Sequence, residues 1–435
     1  MTEIKDKIKI LELIDTFYPT VDGAINVTKH YCEELNKVAD CKLAVPRAAK
    51  RDKYEDKESF EVIRCASVPA PEKYRSAFPD QDGKFVKKIK GEKFDILHTH
   101  SPFTLGRFAI RQARRQNIPV VATLHTQYHQ DFERLLKSKP LVDFMINYII
   151  KVFQNADSVW TVSERSCKIL RDYGYYGKVE VIRNGTDYKY PDNPDELIEK
   201  VNSIHDLYGK KNVFLFVGRM AWYKNLKIIL DALKIVKDKN PDFKMVFVGG
   251  GFDYEDVKSY AEESGLKDHC IFTGSVADKT LIQGYYLRAD LLLFPSTFDM
   301  APVTGVEAAA HNLAAIMVKD SCSAELVQDG VNGFLADESA ESFATKILEL
   351  MDKPDLVKTV GEQAGKTLYR SWDMVAKEVY QKYIEIIENK QKEIQILEEL
   401  KKYTRVKRKE RRLKRREKRL IKKKIKMIKK HPEDI

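Results

Sequence analysis

The sequence predicts an α/β protein: two successive doubly wound parallel-sheet domains followed by a basic helical tail. Three observations predict it. Apolar, β-branched runs recur without polar alternation, as strands buried on both faces of a parallel sheet require. The spacers between them read as amphipathic helices, which gives repeated βαβ units. A charged segment, PDNPDELIEKVNSIHDLYGKKN, breaks this rhythm near residues 190–210, after which the alternation restarts.

In the first half the strand-like runs are IKILELID (8–15), KLAVP (42–46), FDILHTH (94–100), PVVATLH (119–125), SVWTVS (158–163) and VEVIRNG (179–185). GAINVTKHYCEELNK and SERSCKILRDYG are two of the helical spacers. In the second half the runs are NVFLFVGR (212–219), KMVFVGGG (244–251), HCIFTGS (269–275), ADLLLFPS (289–296), LAAIMVKD (313–320) and NGFLAD (332–337). Helical sequence follows from about 339, and SWDMVAKEVYQKYIEII (371–387) has apolar residues at helical spacing, so it should pack. Domain boundaries are expected at 1–195 and 196–370, with a tail at 391–435 that is too charged to build a core of its own.

Charge is unevenly distributed. Of the net +11, residues 401–435 carry nineteen Lys or Arg against four Asp or Glu, a surplus of +15, so the first 400 residues sum to about −4. The start, MTEIKDKIKI, lacks the apolar core of a signal peptide, and no apolar run reaches the length of a membrane span. Six cysteines (Cys32, Cys41, Cys65, Cys167, Cys270, Cys322) show no metal-type spacing, as expected of reduced thiols in a cytoplasmic protein.

Open α/β sheets bind ligands beyond the carboxyl ends of their strands, and the residues able to carry chemistry stand there. Gly23, after the first run and before a helix, allows a phosphate or sugar to approach the backbone, although a tight turn explains one glycine equally well. His98 and His100 follow the third run and His125 the fourth, and several histidines on adjacent strand ends favour a site. Arg219 and Lys224 in VGRMAWYKN suit a diphosphate, one cation forked and one a point charge; the alternative is two solvated charges. Gly249 to Gly251 precede another helix but lack both a GK[ST] ending and a full GxGxxG.

The stretch PSTFDMAPVTGVEAAA (295–310) joins these residues. Pro302 suits a first helical position, which puts Asp299 in the preceding loop and Glu307 in the early turns of a helix running through GVEAAAHN. Carboxylates flanking a helix start bracket an anion-binding surface, the arrangement that a diphosphate carrying hydroxyls on both sides would need.

Across roughly residues 8–390 the chain resembles the retaining family 4 glycosyltransferases of GT-B fold, and within them bacterial diacylglycerol glucosyltransferases. FYPTVDGAIN, DILHTHSPFTLG, TLHTQYH, VIRNGTD, VGRMAWYKN, FTGSV, FPSTFDMAPVTGVEAAA and AELVQDGVNGFL carry the resemblance. It implies two Rossmann-like domains facing a cleft, acceptor domain first and donor domain second, with a helix at about 371–390 crossing back to complete the first. It implies transfer of a hexose, UDP-glucose favoured, with retention of configuration. The family's E-x7-E element corresponds to Asp299 and Glu307, which are separated by seven residues. By resemblance Glu307 would bind the nucleotide ribose and Asp299 the sugar hydroxyls. Arg219 and Lys224 would bind the diphosphate, His125 would be the active-site histidine, and Gly23 would lie near the donor phosphates. Gly218, Asn184, Met300, Ala301 and Val303 fall in the same substrate-binding set. The chain departs from the family pattern at Asp299 (usually Glu), at Arg183 (usually Pro) and at Met300–Ala301 (usually Phe-Gly). No cofactor beyond the donor is implied, and no DxD-type metal site is needed.

The acceptor reading comes from charge. Segment 401–430 is a dense basic run with occasional Leu, Ile and Met, of the kind that binds anionic lipid head groups. Arg107, Arg111, Arg114 and Arg115 would share a helix face, and DFERLLKSKPLVDFMINYIIKVF has an interfacial character. Together these predict a peripheral enzyme on the inner face of the cell membrane acting on a lipid such as diacylglycerol. The alternatives are a polysaccharide or other non-lipid acceptor, a solvated tail without a target, and a nucleotide-sugar-binding scaffold of weak turnover. Nucleic acid is not expected, since Tyr403 is the tail's one stacking aromatic.

Overall fold

The computed structural model describes residues 7–20, 22–49, 54–70 and 75–430; the first six residues, Val21 of the FYPTVDGAIN motif and the last five residues of the expected tail lie outside these. Contacts divide the chain into two units, Met1–Lys382 and Tyr383–Ile435.

The first unit holds both sheets. In chain order its first half contains β1 (Lys9–Leu13), α1 (Gly23–Leu35), β2 (Asp40–Pro46), β3 (Glu61–Cys65), β4 (Ser67–Pro69), β5 (Arg75–Ala77), α2 (Gly83–Gly91), β6 (Ile96–Thr99), α3 (Thr104–Gln116), β7 (Val120–Leu124), α4 (Tyr128–Leu136), α5 (Lys139–Phe153), β8 (Ser158–Thr161), α6 (Glu164–Asp172) and β9 (Glu180–Val181). Seven strands pair in parallel in the order β3-β2-β1-β6-β7-β8-β9, and β4 and β5 form a separate antiparallel pair. The second half runs α7 (Pro194–His205), β10 (Val213–Val217), α8 (Leu226–Lys239), β11 (Lys244–Val248), α9 (Tyr254–Glu263), β12 (Cys270–Gly274), α10 (Lys279–Arg288), β13 (Leu291–Phe294), α11 (Val303–Ala310), β14 (Ala315–Val318), β15 (Phe334–Ala336), α12 (Ala340–Met351), α13 (Pro354–Thr367) and α14 (Trp372–Lys430). Its six parallel strands lie in the order β12-β11-β10-β13-β14-β15. Each sheet reverses direction of growth beside its first strand, at β1/β6 and β10/β13, where a doubly wound fold opens its ligand crevice.

Central strands such as β7 and β13 are buried at every position, which is why they read as unbroken apolar runs. EVIRC forms β3, a strand absent from the sequence reading; it lies at the sheet edge, and its charged residues Glu61 and Arg64 break the apolar pattern. VEVIRNG yields only the two-residue β9. Pro302 is the cap of α11 rather than its first residue, with an extended ψ of 134°, and the helix ends at Ala310, short of His311 and Asn312. The glycines of VGGG are required by backbone packing: a Cβ at Gly249 would stand 2.0 Å from the Gly218 carbonyl oxygen, and one at Gly251 2.1 Å from that of Met220. They lock the loops after β10 and β11 together.

At residue 370 the chain returns to the first sheet. Thr186 donates its N–H to the Arg370 carbonyl at 2.9 Å, Trp372 donates to the Thr186 carbonyl, and the Trp372 ring stacks on His30 of α1 at 5.0 Å. The expected crossover helix and the expected tail belong to one 59-residue helix, α14. Its first turns bury Trp372, Val375 and Val379. The second unit is the rest of this helix to Lys430, about 70 Å long at 1.5 Å per residue. Its described side chains beyond residue 394 are all exposed. No helix among the described residues is long and apolar enough to cross a membrane.

The first sheet also buries polar groups: Glu12, His98 and His100 are at most 1% exposed. Burial lowers the pKa of His98, of His125 and of His100, the last to about 3, so the folded rings stay neutral. An unfolded chain takes up these protons near pH 6.5 and the folded chain does not, so the stability the rings contribute is full above pH 6.5 and is lost as pH falls toward the folded values. Burial also raises the carboxyls of Asp15, Asp22 and Glu307, which acts in the opposite sense. The histidine contribution is therefore read as a difference. In urea unfolding, the stability gap between wild type and His98→Gln should narrow by about 1 kcal/mol between pH 6.5 and 5.5. A gap independent of pH contradicts a buried neutral ring at this position.

Candidate active site

The carboxyl ends of β10 and β13 build one side of the site. Gly218 and Arg219 directly follow β10, and a 3-10 turn at Trp222–Lys224 leads into α8. The Lys224 ammonium meets both carboxylate oxygens of Asp299, at 2.9 and 2.8 Å, with the two side chains only 13% and 21% exposed. Asn225 steadies the same loop, donating to the Pro295 carbonyl at 3.2 Å. Thr304, in the first turn of α11, donates its hydroxyl to the Val217 carbonyl at 3.4 Å, which brings the helix start that includes Val303 over the end of β10. Glu307, one turn further, accepts a 2.7 Å hydrogen bond from the Tyr286 hydroxyl, and its carboxyl is raised by burial. Arg219, Lys224, Asp299 and Glu307 thus gather around the β10/β13 switch point.

The first sheet supplies the facing side. Gly23 is the first residue of α1, with open space where a Cβ would be, and the preceding Asp22 caps the helix by accepting from the Ile25 N–H at 2.9 Å. The charge of Arg219 acts on the buried Asp22 carboxyl and partly offsets the effect of burial, so that cation stands near both sheets' edges. His125 follows β7 and joins a hydrogen-bonded series: its Nε2 lies 2.8 Å from His100 Nδ1, and His100 Nε2 lies 2.8 Å from Glu12 Oε2. His98 Nδ1 approaches the same Glu12 oxygen at 3.3 Å, while its Nε2 meets the Thr123 hydroxyl at 2.7 Å. Glu12, His98 and His100 are the one group of metal-capable side chains among the described residues, with donor atoms within 4.8 Å of one another. Glu12 escaped the sequence reading, although a lone acid inside an apolar central strand is a signal.

The remaining positions of the substrate-binding set join the domains. Met300 is 4% exposed and packs into the core of the first domain, with Ala301 beside it. The Asn184 side-chain amide donates to the Ala301 carbonyl at 2.9 Å, and that of Gln127 to the Phe298 carbonyl at 2.8 Å. Arg183, the residue in place of the family's Pro, pairs with Glu325 at 3.0 Å, and Glu325 also accepts from the Arg165 N–H. Two of the three departures from the family pattern therefore serve contacts between the domains.

An apolar cavity of about 560 Å³ lies along the first domain's carboxyl edge. Its lining combines Asp22, His100 and Thr126 with Tyr128, Phe132 and Phe144 of α4 and α5. Leu135, Leu141 and Phe144 on these helices are exposed. The arginines of α3 do share a face, but three of them are engaged within the fold: Arg107 stacks over Tyr148 at 3.8 Å, Arg111 pairs with Asp80, and Arg114 bonds Asn155.

Comparison with known proteins agrees with this architecture. Residues 21–190 match the family model described as glycosyltransferase family 4, and residues 178–367 the model described as glycosyl transferases group 1. An alpha-monoglucosyldiacylglycerol synthase of Streptococcus pneumoniae is 28% identical over 387 residues, covering 86% of this chain and 85% of that protein. The enzyme of the same name from Acholeplasma laidlawii is 24% identical over 402 residues, covering 87% and 98%. The crystal structure of Anabaena HepE in complex with UDP-glucose superposes with a TM-score of 0.69 at 17% identity, over 86% of this chain and 99% of that one. The two switch-point sheets and their shared cleft are the GT-B fold, and the chain belongs to the glycosyltransferases, with a family 4 domain followed by a group 1 domain.

Proposed function

We propose that the protein moves glucose from UDP-glucose to the free hydroxyl of diacylglycerol with retention of configuration. The observation that carries the acceptor is the apolar cavity beside His100 and Asp22, whose α4–α5 wall exposes Phe144 to solvent. A two-chain lipid needs such a wall, and a polysaccharide does not. The two synthase relatives act, by name, on the same acceptor class, and the HepE complex holds the same donor. In this reading Glu307, oriented by Tyr286, binds the ribose, and Arg219 and Lys224 take up the charge of the departing diphosphate together with the start of α11. Asp299 holds Lys224 in place and meets the sugar hydroxyls. Leaving oxygen and incoming hydroxyl meet on one face of the sugar, and the apolar wall limits competing water.

The basic helix serves membrane attachment. Ile396, Leu400, Tyr403, Val406, Leu413 and Leu420 recur at spacings of three, four or seven residues, each 54–64% exposed, among cations on every side. A helix of this kind lies in the head-group plane, each cation near an anionic surface contributing about 1 kcal/mol.

Purified protein given radiolabelled UDP-glucose and dioleoylglycerol in phosphatidylglycerol-containing vesicles should form monoglucosyldiacylglycerol, with the rate unchanged by EDTA. Transfer only to a water-soluble glycan would refute the lipid acceptor, and a rate abolished by EDTA would refute a metal-free site. Glu307→Ala should weaken UDP binding about tenfold to a hundredfold in calorimetry, since a charged hydrogen-bonding partner contributes roughly 1.5–3 kcal/mol. Unchanged affinity contradicts the ribose assignment. In flotation, recovery with anionic vesicles should exceed that with neutral ones and decline with salt; equal recovery counts against the tail's role.

A further inference from the structure

The series behind His125 has no part in the roles assigned above. We propose that Glu12 and His100 are positioning residues that fix the tautomer of His125, so that its ring presents a hydrogen-bond acceptor at Nδ1 to a substrate hydroxyl. The inference rests on the reading of His125 as an active-site residue, and its logic runs outward from the carboxylate.

Glu12 Oε2 is approached by two imidazole nitrogens, His100 Nε2 at 2.8 Å and His98 Nδ1 at 3.3 Å. In the proposed series Glu12 is the ionised carboxylate, which only accepts, so both nitrogens carry their protons toward it. Burial keeps His100 neutral, with its pKa lowered to about 3, so a ring protonated at Nε2 has a lone pair at Nδ1. That lone pair faces His125 Nε2 at 2.8 Å, which must then be the N–H partner. The neutral, half-buried His125 ring is left with Nδ1 unprotonated. The reverse order would point a lone pair of His100 at an anionic oxygen. His98 closes the set by the same rule, donating to Glu12 and accepting from the Thr123 hydroxyl at 2.7 Å.

The location supports a functional role. Glu12 is 0% exposed in a strand whose other inward residues are apolar, and an aliphatic side chain there would avoid the cost of burying a charge. The rings of Tyr31 and Trp160 pack against the histidines and keep water from competing for the bonds.

Long-range proton–nitrogen correlation spectra of protein labelled with ¹⁵N-histidine distinguish the two neutral tautomers and the imidazolium. Nine histidines are present, and His100→Gln and His125→Gln assign the signals of interest. At pH 7.5 wild-type His100 and His125 should both be in the Nε2–H form. In Glu12→Gln, whose amide can donate as well as accept, His125 should leave that single form. Its kcat for glucose transfer from UDP-glucose to dioleoylglycerol should fall about tenfold or more, with the Kd for UDP unchanged within twofold. Wild-type His125 in the Nδ1–H form, or as imidazolium, overturns the proposal. So does a changed tautomer with unchanged kcat, or a loss of kcat matched by loss of UDP affinity. Stoichiometric zinc that is lost in Glu12→Gln would also overturn it, by giving Glu12, His98 and His100 to a metal. The wild-type spectrum needs no substrate and no stable variant of Glu12, so its failure is separate from a failure of the UDP-glucose reading.

Discussion

The pairing of Lys224 with both oxygens of Asp299 fixes the geometry on which the cleft depends. Both groups are largely withdrawn from water, where removing either leaves the other uncompensated at a cost of several kcal/mol. The pair therefore holds the loop after β13 against the turn after β10. Asn225 ties the start of that loop, Gln127 its middle and Asn184 its end, the last two reaching from the first domain. The eight residues 295–302 thus form part of the candidate site and part of the domain contact at once. Separating the domains would expose Met300 and break both amide bonds, so cleft geometry and domain contact are one variable.

This coupling accounts for the departures from the family pattern. Met300 stands where the family has a Phe, and its flexible thioether fills the first domain's core. Arg183 replaces a Pro and reaches Glu325 of the second domain. The shorter side chain of Asp299 still brings both oxygens to Lys224, so loss of one methylene leaves the bidentate contact intact. None of these contacts is visible in sequence, because each joins residues more than seventy positions apart.

What the sequence did reveal is what local physics imposes. Strands buried on both faces must be apolar throughout, and β1, β2, β6, β7, β8 and β10 to β15 read as such. Of the first sheet's seven strands the one that escaped is β3, where an edge position relaxes the demand on Glu61 and Arg64; the short antiparallel pair β4 and β5 escaped as well. The site was legible to the extent that ligand-facing residues must follow strand ends: Arg219, His125 and the Asp299 loop all do. VGGG matched neither phosphate-binding pattern, and its glycines answer to the carbonyls of Gly218 and Met220. The crossover helix and the basic tail run together as α14 because no Gly or Pro separates them and helix-favouring residues continue without interruption.

Glu12 escaped for the opposite reason to β3. Its neighbours made the strand unmistakable and hid the one residue that did not fit. The parallel register sets Glu12 directly beside His98. Alternate residues share a face, so His100 rises on the same side as His98, and β7, paired with Val121 beside His98, places Thr123 and His125 on that side too. The polar series is thus written into strand register rather than into any loop. A slip of one residue between β1 and β6 would turn Glu12 to the other face and leave a charge buried without its imidazoles. The same register that seats β1 between β2 and β6 therefore brings a carboxylate to the back of the His100–His125 pair.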